Sequence, residues 1–145
     1  MAPFEHVGAA RSLMHLLKYR GVTHLAGIAA ELLAGRIPPL PLVPVPRTLS
    51  RRIKYGIDPA LLIARQLSKR TGQPVIRALS APLYTRRRAG GDHHRSPPVF
   101  RLRRHPPDRV VVIDDVVTTG ATILSAVAAL GADKVEMAAA ANVVT

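Results

Sequence analysis

The sequence predicts an α/β fold, with a central parallel β-sheet flanked by helices, a helical N-terminal region and one flexible loop. Three observations carry this. From Arg109 onward strand-like and helix-like patterns alternate, and the earlier part of the chain repeats the alternation less regularly. The junctions are short, which suits crossovers between parallel strands. Val110–Ile113 is an unbroken apolar run, expected of a strand covered on both faces. At 145 residues the chain suits a single domain. It divides into a helical segment (1–40), a core (41–145) and, inside the core, a flexible loop (82–107).

The elements follow in order. Val7 to Leu33 reads as two helical pieces: Leu13, Leu16 and Leu17 share one face, and Leu25, Ile28, Ala29 and Leu32 another. Gly21 between them fits a C-cap. The prolines of Gly35–Pro41 force extended backbone. Leu42–Pro46 is then a short strand whose last residues leave the sheet. Asp58 is an N-cap and Pro59 fits the first turn of a helix whose apolar face is Ala60, Leu61, Ala64 and Leu67. Gly72 closes that helix and Pro74 prevents its continuation. Pro74–Leu79 reads as a second strand. Pro82–Pro107 is basic and punctuated by Gly and Pro, a mobile loop or an irregular hairpin. Val110–Ile113 is a strand, Gly120–Leu130 a helix with Gly131 as its C-cap, and Val135–Val144 a final strand.

Composition narrows the chemistry. Hydrophobic residues make up 48% but aromatics only 3%, so the core is aliphatic. With no cysteine, disulfides, thiol catalysis and Cys-based zinc sites are excluded. No apolar window is long enough to span a bilayer and no leader pattern is evident, which predicts a soluble cytoplasmic protein without membrane contact. The formal charge is +12, and it is unevenly placed. Arg47 to Arg109 holds sixteen Lys or Arg against three acids, a net +13. Such a field suits an anionic partner (phosphate, pyrophosphate or nucleic acid) or a merely solvated basic surface.

The stretch VVVIDDVVTTGATILSAV (Val110–Val127) poses the central question. Thr118, Thr119, Gly120, Ala121 and Thr122 link a strand end to a helix start. Free backbone N–H groups, the helix dipole, close approach at Gly120 and threonine hydroxyls make a phosphate cradle there. The ordinary alternative is a strand-to-helix turn with Thr119 as N-cap. Asp114 and Asp115 would repel a phosphate if aimed at it. They suit a neighbouring polyol, accepting hydrogen bonds from its hydroxyls, or a Mg2+ that the ligand also chelates. A diol beside a phosphate describes a ribose 5-phosphate. Capping or an arginine salt bridge accounts for one aspartate more easily than for two.

VVVIDDVVTTGAT (Val110–Thr122) resembles the phosphoribosyl diphosphate (PRPP) binding signature of type I phosphoribosyltransferases. LMHLLKYRG (Leu13–Gly21), VPVP (Val43–Pro46) and YGIDPALLIARQLSKRTGQPV (Tyr55–Val75), with a basic loop ending near Phe100, resemble the ComF-type, amidophosphoribosyltransferase-like branch associated with competence for DNA uptake. The resemblance implies a phosphoribosyltransferase-type, Rossmann-like sheet. It also implies transfer of the phosphoribosyl group from Mg–PRPP to an unidentified nitrogen acceptor, with release of pyrophosphate. The alternative is a non-catalytic nucleotide- or PRPP-sensing or DNA-handling protein.

On this resemblance Asp114 and Asp115 are the catalytic pair that holds the ribose hydroxyls, and Mg2+ arrives with PRPP, held in part by the same carboxylates. Thr118, Thr119, Gly120, Ala121 and Thr122 take the 5-phosphate. Val45, Pro46 and Arg47 form the pyrophosphate loop, with an unusual peptide geometry, and Arg51, Arg52 and Lys54 neutralise the diphosphate. Arg86, Arg87 and Arg88 belong to the flexible loop that closes over PRPP. The partners implied are PRPP, its acceptor, DNA or the DNA-uptake machinery, and a second copy in a homodimer. Three positions depart from the family pattern. The chain has no counterpart of the branch's Cys-rich zinc segment. RRRAGGDHHRSPPVF (Arg86–Phe100) lacks the loop Gln and Asn, and Thr118 stands where purine-salvage relatives carry an acid.

Other candidates read as ordinary. Asp92, His93 and His94 are adjacent loop residues, a poor geometry for one metal ion. His15 and His24 sit in apolar helices as semi-buried or surface residues. Tyr19, Tyr55 and Tyr84 belong to a set of five aromatics, too few for a base-stacking platform.

Overall fold

The computed structural model describes residues 23–83 and 96–143, together with the backbone alone at a few of these positions. Its elements are α1 (Thr23–Ala34), β1 (Leu42–Pro44), α2 (Leu49–Tyr55), α3 (Pro59–Thr71), β2 (Leu79–Ser80), β3 (Arg101–Leu102), β4 (Val110–Val117), α4 (Ala121–Leu130), a 3-10 turn (Ala132–Lys134) and β5 (Val135–Val143). The first predicted helical piece and Gly21 lie outside the described residues. β1, β4 and β5 form a parallel sheet in the order β1–β4–β5, flanked by helices, as an α/β fold requires.

β4 is the centre of the sheet because its pattern leaves it nowhere else to go. Val110, Val111, Val112 and Ile113 are all fully buried. Successive side chains of a strand point to opposite faces. Val111 and Ile113 accordingly pack with α1 and α3, through Leu33, Ile63 and Leu67. Val110 and Val112 pack on the other side with Ala126 and Leu130 of α4 and with Leu79 and Phe100. Phe100 thus anchors the end of the long loop in the core.

The capping residues act as predicted. Asp58 accepts a hydrogen bond from the Leu61 N–H at 3.5 Å, Pro59 starts α3, and Gly72 ends it with φ 76°. The Gly131 N–H closes α4 on the Val127 carbonyl. Gln73, 6% exposed, ties down the proline-rich entry to β1 by donating from Nε2 to the carbonyls of Pro38 and Leu40 at 2.8 and 2.6 Å.

Two expectations are corrected, one helix is new and one open choice is resolved. Pro74–Leu79 is not a full strand: it touches β1 through one bridge, Leu42 to Val75, and only Leu79 joins a strand. Pro41, Pro44, Pro46 and Pro74 lack the N–H groups that a longer ladder needs. β4 runs on to Val117, so Asp114 and Asp115 lie within the strand rather than after it, with Asp114 opposite Ala140 of β5. α2 was not expected. It spans Leu49–Tyr55, and Gly56, with φ 66°, is its left-handed C-cap. Within 82–107, Arg101–Leu102 pairs antiparallel with Leu79–Ser80, the hairpin-like option of the two foreseen.

Candidate functional site

A cavity of about 440 Å³ opens at the carboxyl ends of β1 and β4. That is where parallel α/β sheets offer ligand space, because the strand ends diverge into loops. The loop after β1 contributes Val45, Pro46 and Arg47 to its wall, and α2 contributes Arg51. β4 contributes Asp114 and Asp115, and the turn into α4 contributes Thr118, Thr119, Ala121 and Thr122. Residues separated by about 70 positions in sequence meet because β1 and β4 are paired, with Pro44 opposite Ile113 and the Val45 N–H bonded to the Ile113 carbonyl at 2.8 Å.

The turn into α4 is where the sequence places an anion. Gly120 is the N-cap with φ 77° and has no side chain of its own to cap the helix. The Thr119 hydroxyl oxygen accepts from the Ala121 N–H at 3.4 Å, so Thr119 bonds the first turn without being the N-cap residue. Thr118 and Thr119 are exposed beside the cavity, and Ala121 and Thr122 are half-buried. The helix dipole adds positive potential at this end.

The acidic pair is asymmetric. Asp114 is 5% exposed, and its Oδ1 accepts the Asp115 N–H at 2.8 Å. Burial first, then the adjacent Asp115 carboxylate, holds the Asp114 carboxyl well above the ordinary carboxylate range. The Asp115 Oδ2 lies 3.9 Å from Arg47 Nη2, a long ion pair, while Arg47 Nη1 donates to the Ile57 carbonyl at 3.4 Å. The arginine therefore faces Asp115 without closing the cavity.

Asp58 is a site residue that reading the sequence missed. It appeared there only as a helix cap. It also borders the cavity, and burial raises its carboxyl despite hydrogen bonds from the backbone of Leu61 and Arg47. Those bonds tie the start of α3 to the loop after β1. Ser96, Pro97 and Pro98 line the cavity as well, with no signal in the sequence that separates them from the rest of the loop.

Two predicted groups fall elsewhere. Arg52 borders a smaller neighbouring cavity instead of the larger one, because it and Arg51 are adjacent on a helix and diverge. Every described peptide bond is trans, so the unusual peptide geometry expected after β1 is not present. The Lys54 side chain, Arg86, Arg87 and Arg88, and Asp92, His93 and His94 lie outside the described residues, as do His15, Tyr19 and Tyr84. His24 is exposed at the start of α1.

Among the described residues no group of three His, Cys, Asp or Glu can hold a metal ion. The acidic pair nevertheless fits a cation shared with a ligand. Two carboxylates stand side by side, one of them buried, and the Arg47 guanidinium lies 3.9 Å from the other. Mg2+ characteristically takes one or two carboxylates and completes its shell with phosphate oxygens and water. Among the described residues no helix is long and apolar enough to cross a membrane.

No protein-family model and no curated protein matches the chain. Sixteen chains of solved structures do. One is UMP synthase from Leishmania donovani, 22% identical, with a TM-score of 0.45 over 86% of this chain and 22% of that one. The chain therefore spans about a fifth of the length of that structure.

Proposed function

We propose that the protein binds Mg–PRPP and transfers its phosphoribosyl group to a nitrogen acceptor, releasing pyrophosphate. One observation carries the reading: a single cavity joins a helix start whose N-cap is a glycine, a pair of aspartates and two arginines. The turn Thr118–Thr122 grips the 5-phosphate through backbone N–H groups and hydroxyls. Asp115, with Asp114 behind it, accepts hydrogen bonds from the ribose hydroxyls and places negative charge near a ring that becomes oxocarbenium-like. Arg47 and Arg51 face the departing diphosphate and stabilise its charge. Mg2+, bound with PRPP, supplies further positive charge there, and Asp114 and Asp115 are the residues that would hold it. The acceptor enters last.

The ComF-type branch is our proposal on the motifs of residues 13–21, 43–46 and 55–75, and with it a cytoplasmic location and a homodimer. The test is pyrophosphate release from Mg–PRPP in the presence of a panel of amines and nucleobases. Transfer predicts release that depends on one acceptor class and is lost in Asp115→Asn. Binding without release under every acceptor contradicts it.

A second reading is supported by Arg101, Arg103 and Arg104, exposed together on and after β3. In that reading a non-catalytic protein uses its basic face to handle DNA. It predicts DNA affinity that falls steeply with salt and weakens when those three arginines are removed.

A further inference from the structure

Beside the larger cavity lies a second one of about 170 Å³. Its walls bring together Arg47 from the loop after β1, Arg52 from α2, Arg77 from the extended segment before β2, and Arg103 from the end of β3. The antiparallel pairing sets the last two side by side: the Arg103 N–H donates to the Ala78 carbonyl at 2.7 Å, next to Arg77. Arg52, Arg77 and Arg103 are exposed and Arg47 is half-buried, so four cations drawn from four chain segments raise a positive potential at this cavity that a bound anion would lower.

The protein supplies little of that anion itself. Asp58 is the one acid in the wall, and its carboxylate already accepts hydrogen bonds from the backbone of Leu61 and Arg47. The ion pairs found among the described residues join Arg47 to Asp115, Arg109 to Glu136 and Lys134 to Asp108, and none involves Arg52, Arg77 or Arg103. The volume sets the size of the guest. It is well below the roughly 300 Å³ at which pockets begin to take whole small-molecule ligands, and equals about six waters at ~30 Å³ each. That is room for one phosphate or diphosphate within the cavity.

We propose that this smaller cavity is a second oxyanion site, holding one inorganic phosphate or diphosphate through Arg52, Arg77 and Arg103, with Arg47 as the wall it shares with the larger cavity. The inference goes beyond the phosphoribosyl-transfer reading and stands whether or not that reading holds. Guanidinium groups suit such a guest because their paired N–H donors match phosphate oxygens. An anion here and an anion in the larger cavity meet across Arg47, so each weakens the other.

The experiment is calorimetric titration of inorganic diphosphate, without PRPP, at fixed ionic strength. Wild type is compared with Arg77→Gln/Arg103→Gln, and with Arg36→Gln/Arg65→Gln, which removes the same charge from exposed positions outside both cavities. Each lost guanidinium contact weakens binding about tenfold. The expected result is one diphosphate site lost or weakened about a hundredfold in the first variant and kept in the second. Arg77→Lys/Arg103→Lys restores part of the affinity, and circular dichroism verifies that each variant folds. Equal loss in both Gln variants, unchanged binding in the first, or no diphosphate binding by wild type overturns the proposal. Loss of PRPP binding with the diphosphate pattern intact overturns only the phosphoribosyl-transfer reading.

Discussion

Replacing Asp114 by Asn makes the protein more stable at neutral pH and poorer at binding its ligand. The carboxyl is 5% exposed, sits beside Asp115 and accepts one backbone N–H. An Asn keeps that acceptor and nearly the same shape, and removes the charge that burial and Asp115 disfavour. The sign follows from linkage. The folded-state carboxyl has a raised affinity for its proton, so between the unfolded value of about 3.9 and the higher folded value the native state holds more protons than the unfolded one. Stability contributed by the protonated form is therefore lost as pH rises through that window, by about 1.4 kcal/mol per unit of displacement. Below the window both states are protonated and the penalty vanishes. Asp114→Asn removes it, so the gain is near zero at pH 3.5 and grows as pH rises above the unfolded value. Each gain of about 1 kcal/mol reads as roughly 2–4 °C in Tm for a domain of this size. Thermal melts of both proteins across pH 3.5 to 8 measure it. A variant less stable at pH 7.5, or a difference that does not change with pH, refutes the reasoning.

Two further substitutions test the parts that position the site. Gly120→Ala places a side chain at φ 77°, where it costs about 1–2 kcal/mol from the backbone alone, since the added Cβ meets open space; an unchanged urea midpoint contradicts this. Gln73→Ala strips the Leu40 carbonyl of its side-chain donor, leaves the Pro38 carbonyl with the Leu40 N–H alone, and costs about 1–3 kcal/mol. Gln73→Glu is the worse of the two at neutral pH, because it sets a carboxylate against the same carbonyl oxygens, and a Gln73→Glu protein as stable as wild type contradicts the assignment.

What the sequence made legible is what depends on local chemistry. Asp58-Pro59 and Gly72 bound α3 because caps are settled by neighbours a few residues away. The doubly buried β4 and the Gly120 turn were legible for the same reason. The failures are relational. Whether Pro74–Leu79 becomes a strand depends on donors that the prolines of β1 lack, and no pattern within the segment itself reveals that. Arg51 and Arg52 look alike in sequence, yet one helical step sends them to different cavities. Asp58 read as a cap, and its second position at the cavity arises only because the loop after β1 folds back onto the start of α3. The acidic pair and the threonine turn were found together because they lie on one continuous stretch. Their meeting with Arg47 and Arg51 required the β1–β4 register.

The central claim, that one cavity holds both ends of a phosphorylated pentose, is tested most directly by calorimetric titration of Mg–PRPP into wild type and the Asp114→Asn/Asp115→Asn double variant. The account predicts a single saturable site in wild type and a loss of affinity of about a hundredfold or more in the double variant, as expected for removing charged hydrogen-bond acceptors. Equal affinity in both proteins, or no binding by wild type, contradicts it.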